Sequence, residues 1–148
     1  AMARWIALDF GKARTGIAVT DDNAMIASPL ETVDSRSIWE RLSALVAERP
    51  CAGFVLGDPG ALTDSSAGIA ELELGLRKRW PHLPVHRVDE SFTSREAQAS
   101  LVQGGMRKSK RREKGALDKV AAALILQRFL DGHNALDFSA LNRPRPKR

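Results

Sequence analysis

Three carboxylates stand where short apolar runs begin or end. Asp9 closes the run Trp5-Ile6-Ala7-Leu8, Glu90 follows the run that carries Val85 and Val88, and Asp118 opens an apolar stretch containing Ala121, Ala122 and Ile125. Taken singly, each has an ordinary explanation. Asp is a common turn former, and an acid in the first turn of a helix is favoured by the helix dipole. Asp89 and Glu90 alternate across their strand, so either could face the other acids; the position analogous to Asp9 favours Glu90. Brought together, three acids need a cation, because two unit charges about 4 Å apart repel by roughly 4 kcal/mol at an effective dielectric of 20. All-oxygen donors select hard Mg²⁺ or Mn²⁺. Two such ions about 4 Å apart would activate a water and stabilise the leaving oxygen of a phosphodiester, so a two-metal site is expected.

Other chemistries lack the residues. His82, His86 and His133 show no zinc-ligand spacing with Cys51, and no serine or cysteine triad motif is present. His86 reads as strand packing or surface. Cys51, with Pro50, Ala52, Gly53 and Phe54 around it, reads as a packing residue at a strand edge rather than a reactive thiol.

The elements that must position these acids follow from periodicity. Arg4–Asp9 is a β-rich run, Phe10–Thr15 a turn, and Gly16–Thr20 its antiparallel partner. Ala24–Val33 reads as a third strand interrupted at Pro29, which suits an edge. Ile38, Trp39, Leu42, Leu45 and Val46 recur at helical spacing, as do Ile69, Leu72, Leu76 and Trp80. Between them Gly53–Gly57 is a continuous apolar strand, and Pro84–Val88, after the second, is a further strand. Thr93 and Glu96 form a capping-box pattern opening a helix that Gly104-Gly105 stops, and Leu117–Leu130 forms the last helix. The order β-β-β-α-β-α-β-α-α implies an α/β fold. Three antiparallel strands and two parallel crossovers make a mixed five-stranded sheet flanked by helices on both faces, an order that matches the RNase H-like architecture. The small residues Ala121 and Ala122 would let the last helix lie close to the sheet and carry Asp118 over the ends of the strands bearing Asp9 and Glu90.

The chain has 148 residues and a formal charge of +5, with 43% hydrophobic and 28% charged residues, the balance of one globular domain. The charge is concentrated. Residues 107–114 carry a local +5 through Arg107, Lys108, Lys110, Arg111, Arg112 and Lys114; residues 143–148 carry +4; the remainder is −4. Clustered cations on an acidic body point to a polyanion contact that weakens with salt. The domain is expected over residues 2–138, and residues 139–148, where Pro alternates with basic residues, as a flexible basic tail. The longest apolar run, starting at Val120, is far short of the roughly 20 residues of a membrane span. With a single Cys and a first strand starting near the first residue, without a signal peptide, a cytoplasmic protein is expected. Asp9-x-Gly11 with Thr15-Gly16 also echoes actin-like phosphotransferases, but those enclose ATP between two domains and this chain has length for one.

Four motifs occur in order: Asp9-x-Gly11-x-x-Arg14-x-Gly16-Ile17-Ala18-Val19, Gly57-x-Pro59, Asp89-Glu90-x-x-Thr93-Ser94-x-x-Ala97, and Asp118-x-x-Ala121-Ala122-x-x-Ile125-Leu126. Over roughly residues 4–131 this resembles the YqgF/RuvX family, described both as Holliday junction resolvases and as pre-16S rRNA nucleases. The resemblance implies an RNase H-like fold, a cytoplasmic location and a metal-dependent nuclease that hydrolyses phosphodiester bonds in structured nucleic acid. Processing of the 5′ end of pre-16S rRNA is the leading activity, resolution of branched DNA the alternative, and a non-catalytic nucleic-acid-binding module the alternative of another class. It places the acidic, metal-holding site on Asp9, Glu90 and Asp118, and matches Arg14, Thr93 and the basic loop to nucleic-acid contacts. The expected partner is structured RNA or branched DNA, with no membrane, and the protein is expected as a monomer or homodimer. Four departures stand out. Ser91 replaces the family's usual Arg, Ser94 its second Thr, and Asp58-Pro59-Gly60-Ala61-Leu62 its usual Gly-Leu-Pro-Leu-Asn, so that Asp58 is a further carboxylate that could join the site. Ala121 stands where related resolvases carry a second helix acid.

Overall fold

The computed structural model describes residues 3–21, 26–58, 66–89 and 119–132. Its centre is β1 (Arg4–Phe10), whose middle residues Ile6, Ala7 and Leu8 are apolar on both sides and fully buried. Such a strand must be covered on both faces and paired on both edges. β2 (Arg14–Thr20) pairs with it antiparallel, and β3 (Ala27–Asp34) pairs antiparallel with β2. β4 (Cys51–Asp58) lies parallel on the other side of β1, and β5 (Val85–Asp89) parallel to β4. The strand order β3-β2-β1-β4-β5 is the mixed five-stranded sheet expected from the element order.

Strand alternation divides the core in two. Ile6, Leu8, Ile17, Phe54, Leu56 and Val85 face α1 (Ile38–Glu48) and α2 (Ser66–Arg79), where they meet Leu42, Leu45, Leu72 and Leu76. On the opposite face Ala7, Ala18 and Val55 meet Ala122, Ile125, Leu126 and Leu130 of a third helix, α3 (residues 119–132). That face is a shelf of small side chains on the sheet, and α3 lays Ala121 and Ala122 against it, both buried. Helices therefore cover both faces. Arg4, itself buried, donates through its guanidinium to Leu45 O in the last turn of α1 at 3.4 Å, where a cation complements the helix dipole.

Several boundaries shift from the sequence expectation. β2 begins at Arg14 rather than Gly16, because the ladder extends through the Phe10–Thr15 pair and leaves Gly11–Ala13 as the turn. β3 begins at Ala27 rather than Ala24 and runs through Pro29. The register shifts there, with Ile17 opposite Glu31 and Ala18 opposite Pro29, so the expected interruption is a bulge at Leu30 on an edge strand. Cys51 opens β4, half-buried, and burial pushes its thiol up, in keeping with a packing role.

Candidate active site

The turn after β1 is held from outside. Ser35 Oγ donates to Gly11 O at 2.6 Å, so the 2.8 Å contact between Thr15 Oγ1 and Ser35 Oγ has Thr15 as donor, and Ser35 N donates to Ala13 O at 3.0 Å. Ser35 is itself fixed at the start of a 3-10 turn (Ser35–Ser37), capped by the Asp34 carboxylate accepting from Arg36 N at 2.9 Å. Hydrogen bonds from the Arg36 side chain and backbone hold the Asp34 carboxyl down to about 2. The carboxyl end of β1 is thereby set rigidly, and this is the end of a parallel pair at which open α/β sheets place their ligands.

Asp9 sits at that end, half-buried. Alternation from Ala7 places its side chain on the α3 face. Its partner on β2 is Gly16, and Gly57 follows one step beyond the Leu8–Leu56 pair on β4. A carboxylate on the central strand is thus flanked on both sides by residues that put no side chain on its face. A carboxylate is a hard oxygen donor of the kind that suits a divalent cation. Arg14, exposed at the start of β2, lies two residues from Gly16 and so shares Asp9's face as a diagonal cross-strand neighbour. Among the described residues no three Asp, Glu, His or Cys residues form a metal-holding group. The other expected site residues, Glu90, Thr93, Arg107, Lys108, Lys110, Arg111, Arg112, Lys114 and Asp118, lie outside the described residues, as does the tail from residue 139. Glu90 is the next residue after β5, and Asp118 is the one before α3 as described.

β5 separates the two acids that the sequence left open. His86 packs its ring against Trp5 and Phe129 on the α3 face, at centroid distances of 5.6 and 5.1 Å, and Val88 joins them. Arg87 turns the other way, donating to Glu73 of α2 at 2.6 Å and to Asp58 at 3.5 Å. Alternation carries Asp89 to the Arg87 side, away from Asp9. The same network corrects the expectation for Asp58. It shares the Leu56 face and pairs with Arg87, on the opposite side of the sheet from Asp9. Burial alone would raise the Glu73 carboxyl, but hydrogen bonds from Arg87 and Arg77 outweigh it and hold it below its usual range. This cluster is a structural tie between α2 and β5. Sequence reasoning missed the part played by Gly16 and Gly57, although both lay inside quoted motifs. The available signal was their position beside Asp9 in register, which a sequence shows only after strand pairing is known.

No helix among the described residues is long and apolar enough to cross a membrane. Comparison with known proteins agrees with the fold. A family model described as RuvX, Holliday junction resolvase, matches residues 3–132. A protein of Christiangramia forsetii named as a candidate pre-16S rRNA nuclease is 40% identical over 133 residues, covering 87% of this chain and 98% of that protein. A protein of the same name from Porphyromonas gingivalis is 39% identical over 134 residues, covering 88% and 97%. Among solved structures, T. thermophilus RuvC in complex with Holliday junction substrate superposes with a TM-score of 0.56 at 15% identity, covering 89% of this chain and 96% of that one, a likeness of fold. With its model matched across nearly the whole domain and relatives this similar along almost their full length, the chain belongs to the RuvX family of nucleases.

Proposed function

We propose that this protein is a divalent-metal-dependent nuclease that processes the 5′ end of pre-16S rRNA in the cytoplasm. The observation that carries the reading is Asp9: a half-buried carboxylate at the carboxyl end of the central strand, bordered by Gly16 and Gly57, on the face covered by α3. Glu90, next after β5, and Asp118, next before α3, complete the acidic set that holds Mg²⁺ or Mn²⁺. When bound, the metal supplies activation of the attacking water and neutralises charge on the scissile phosphate. The chain's own residues do the rest. The pinned turn fixes Asp9, Arg14 binds a phosphate on the same face, and Thr93 with Arg107, Lys108, Lys110, Arg111, Arg112 and Lys114 grips the backbone. The tail from residue 139 adds further salt-dependent affinity.

The family model's own description favours a second reading, resolution of four-way DNA junctions. That activity needs two active sites and hence a dimer. One experiment separates the readings. Mn²⁺-dependent cleavage is measured on a four-way DNA junction, duplex DNA, single-stranded RNA and a pre-16S rRNA 5′ fragment, with Asp9→Asn as the control. Preferential cutting of the rRNA fragment supports the proposal. Paired symmetric nicks in the junction alone replace it with a resolvase, and metal-independent binding without cleavage of any substrate replaces it with a non-catalytic binding module.

A further inference from the structure

On the sheet face opposite Asp9, a groove of about 760 Å³ runs between α2 and the α1 side of the molecule. Its flat apolar surfaces are the rings of Phe10 and Trp39. Both rings approach α2 at glycines. A Cβ at Gly68 would overlap the Phe10 ring, and one at Gly75 would overlap the Trp39 indole. Gly75 in the interior of α2 costs about 1 kcal/mol of helix propensity relative to alanine, and Gly68 in its first turn costs less, so the sequence gives up helix stability to seat these rings. The rim is cationic: Lys12 in the β1–β2 turn, Arg36 in the 3-10 turn, and Lys78 and Arg79 in the last turn of α2. Arg79 stacks over Trp39 at 4.5 Å. Arg36 is balanced by Asp34, and Glu71 offsets one of the other three cations, which leaves the groove with a net excess of positive charge. Lys12 and Lys78 are exposed and have no ion-pair partner among the described residues.

We infer that this groove is a second nucleic-acid-binding surface, which holds a single-stranded segment of the substrate. The inference rests on the nuclease reading and extends it to the back of the sheet. Cations beside flat rings are the combination that holds single strands, the cations tracking phosphates and the rings accepting bases without regard to sequence. From Gly68 to Arg79 the helix rises about 16 Å, room for a few nucleotides. The groove also ends where the active face begins. Phe10 follows Asp9 directly, and the turn carrying Lys12 leads to Arg14 on Asp9's face. A strand leaving the groove at Lys12 crosses one pinned turn to reach Asp9. A second copy of the chain fits poorly, since a symmetric contact would set the cationic rim against itself.

The test uses the full chain carrying Asp9→Asn, so that the probe is bound and not cut. Affinity for a fluorescein-labelled oligouridylate of about 12 nucleotides is measured by anisotropy across a salt series. Lys12→Glu/Lys78→Glu is expected to weaken binding roughly tenfold and to flatten the slope of log affinity against log salt by about 1.4, the loss of two single-strand phosphate contacts. Arg49→Glu/Arg128→Glu makes the same change of charge away from the groove and is expected to leave the slope unchanged. The inference is overturned if the groove variant binds with unchanged affinity and slope, or if both variants lose affinity equally. It is also overturned if a polyglutamate peptide, and not the oligonucleotide, binds in a Lys12- and Lys78-dependent way, which would make the groove a protein-docking site. In each of those cases metal-dependent cleavage by the unsubstituted chain still upholds the nuclease reading. Absence of both oligonucleotide binding and cleavage removes the two together.

Discussion

Gly75→Ala sets two effects of known size against each other. Alanine in the interior of α2 gains about 1 kcal/mol of helix propensity over glycine. The added methyl, however, would overlap Cη2 and Cζ2 of Trp39. That indole cannot retreat freely, because it packs against the core and carries the Arg79 guanidinium 4.5 Å above its ring. Overpacking of this kind costs about 1–3 kcal/mol, and displacing the stacked cation adds about 0.5–1. The clash wins, for a net loss of about 0.5–3 kcal/mol, with Tm falling by roughly 2–4 °C per kcal/mol for a chain of this size. Gly132→Ala is the internal reference. Among the described residues nothing lies within 4 Å of a Cβ there, so helix propensity is left to act and Tm rises by a few degrees. Thermal melting followed by circular dichroism, checked by urea titration, measures both. A Gly75→Ala protein stabilised as much as Gly132→Ala would show that the ring-on-glycine packing is wrong, and the groove floor with it.

Asp9→Asn should lower metal-dependent cleavage by roughly a hundredfold or more while circular dichroism and melting stay near those of the parent, because the residue is only half-buried and a strand end tolerates the isostere. Leu126→Ala, fully buried between α3 and the alanine shelf, should cost about 2–5 kcal/mol, read as a lower urea midpoint. Asp34 has its carboxyl lowered to about 2 by Arg36. A depressed folded pKa adds stability that is complete above the carboxyl's ordinary range near pH ~4 and is lost as pH falls through the folded value. Asp34→Asn should therefore lower stability by a constant amount above about pH 4 and by progressively less as pH falls toward 2, and a deficit that persists undiminished at pH 2 would refute the role of the carboxylate.

Strand number, mixed pairing and two-faced helix cover were legible because β1 and β4 announce themselves as apolar runs, and α1 and α2 by spacing of Leu42, Leu45, Leu72 and Leu76. Asp9 was legible as an acid ending such a run. What escaped was set by tertiary pairing. The extension of β2 to Arg14 depends on a ladder partner, Thr15 opposite Phe10, that turn-like residues conceal. The bulge at Leu30 reconciles Pro29 with an edge strand and has no local signal beyond the proline. Asp58 misled because a carboxylate one residue past Gly57 is near Asp9 along the sheet edge yet on the other face, a distinction of one step in a period of two.

That period is also what links the two surfaces proposed for the substrate. Along β1 the side chains of Ala7 and Asp9 belong to the α3 face, and those of Leu8 and Phe10 to the α1–α2 face. Consecutive residues thus supply the acid on one side and the groove's first ring on the other, at a single strand end. Among the described residues the turn Gly11–Ala13 joins the two faces at this strand end, and Ser35 holds it through Gly11 O and Ala13 O. Ser35→Ala removes both side-chain bonds, to Gly11 O and from Thr15 Oγ1, and keeps the backbone one, so the turn should loosen without unfolding, at a cost of about 1–3 kcal/mol. If one strand of nucleic acid passes from groove to acid over this turn, loosening it should weaken oligonucleotide binding and cleavage together. Loss of cleavage with undiminished binding would mean that the groove and Asp9 act on separate ligands.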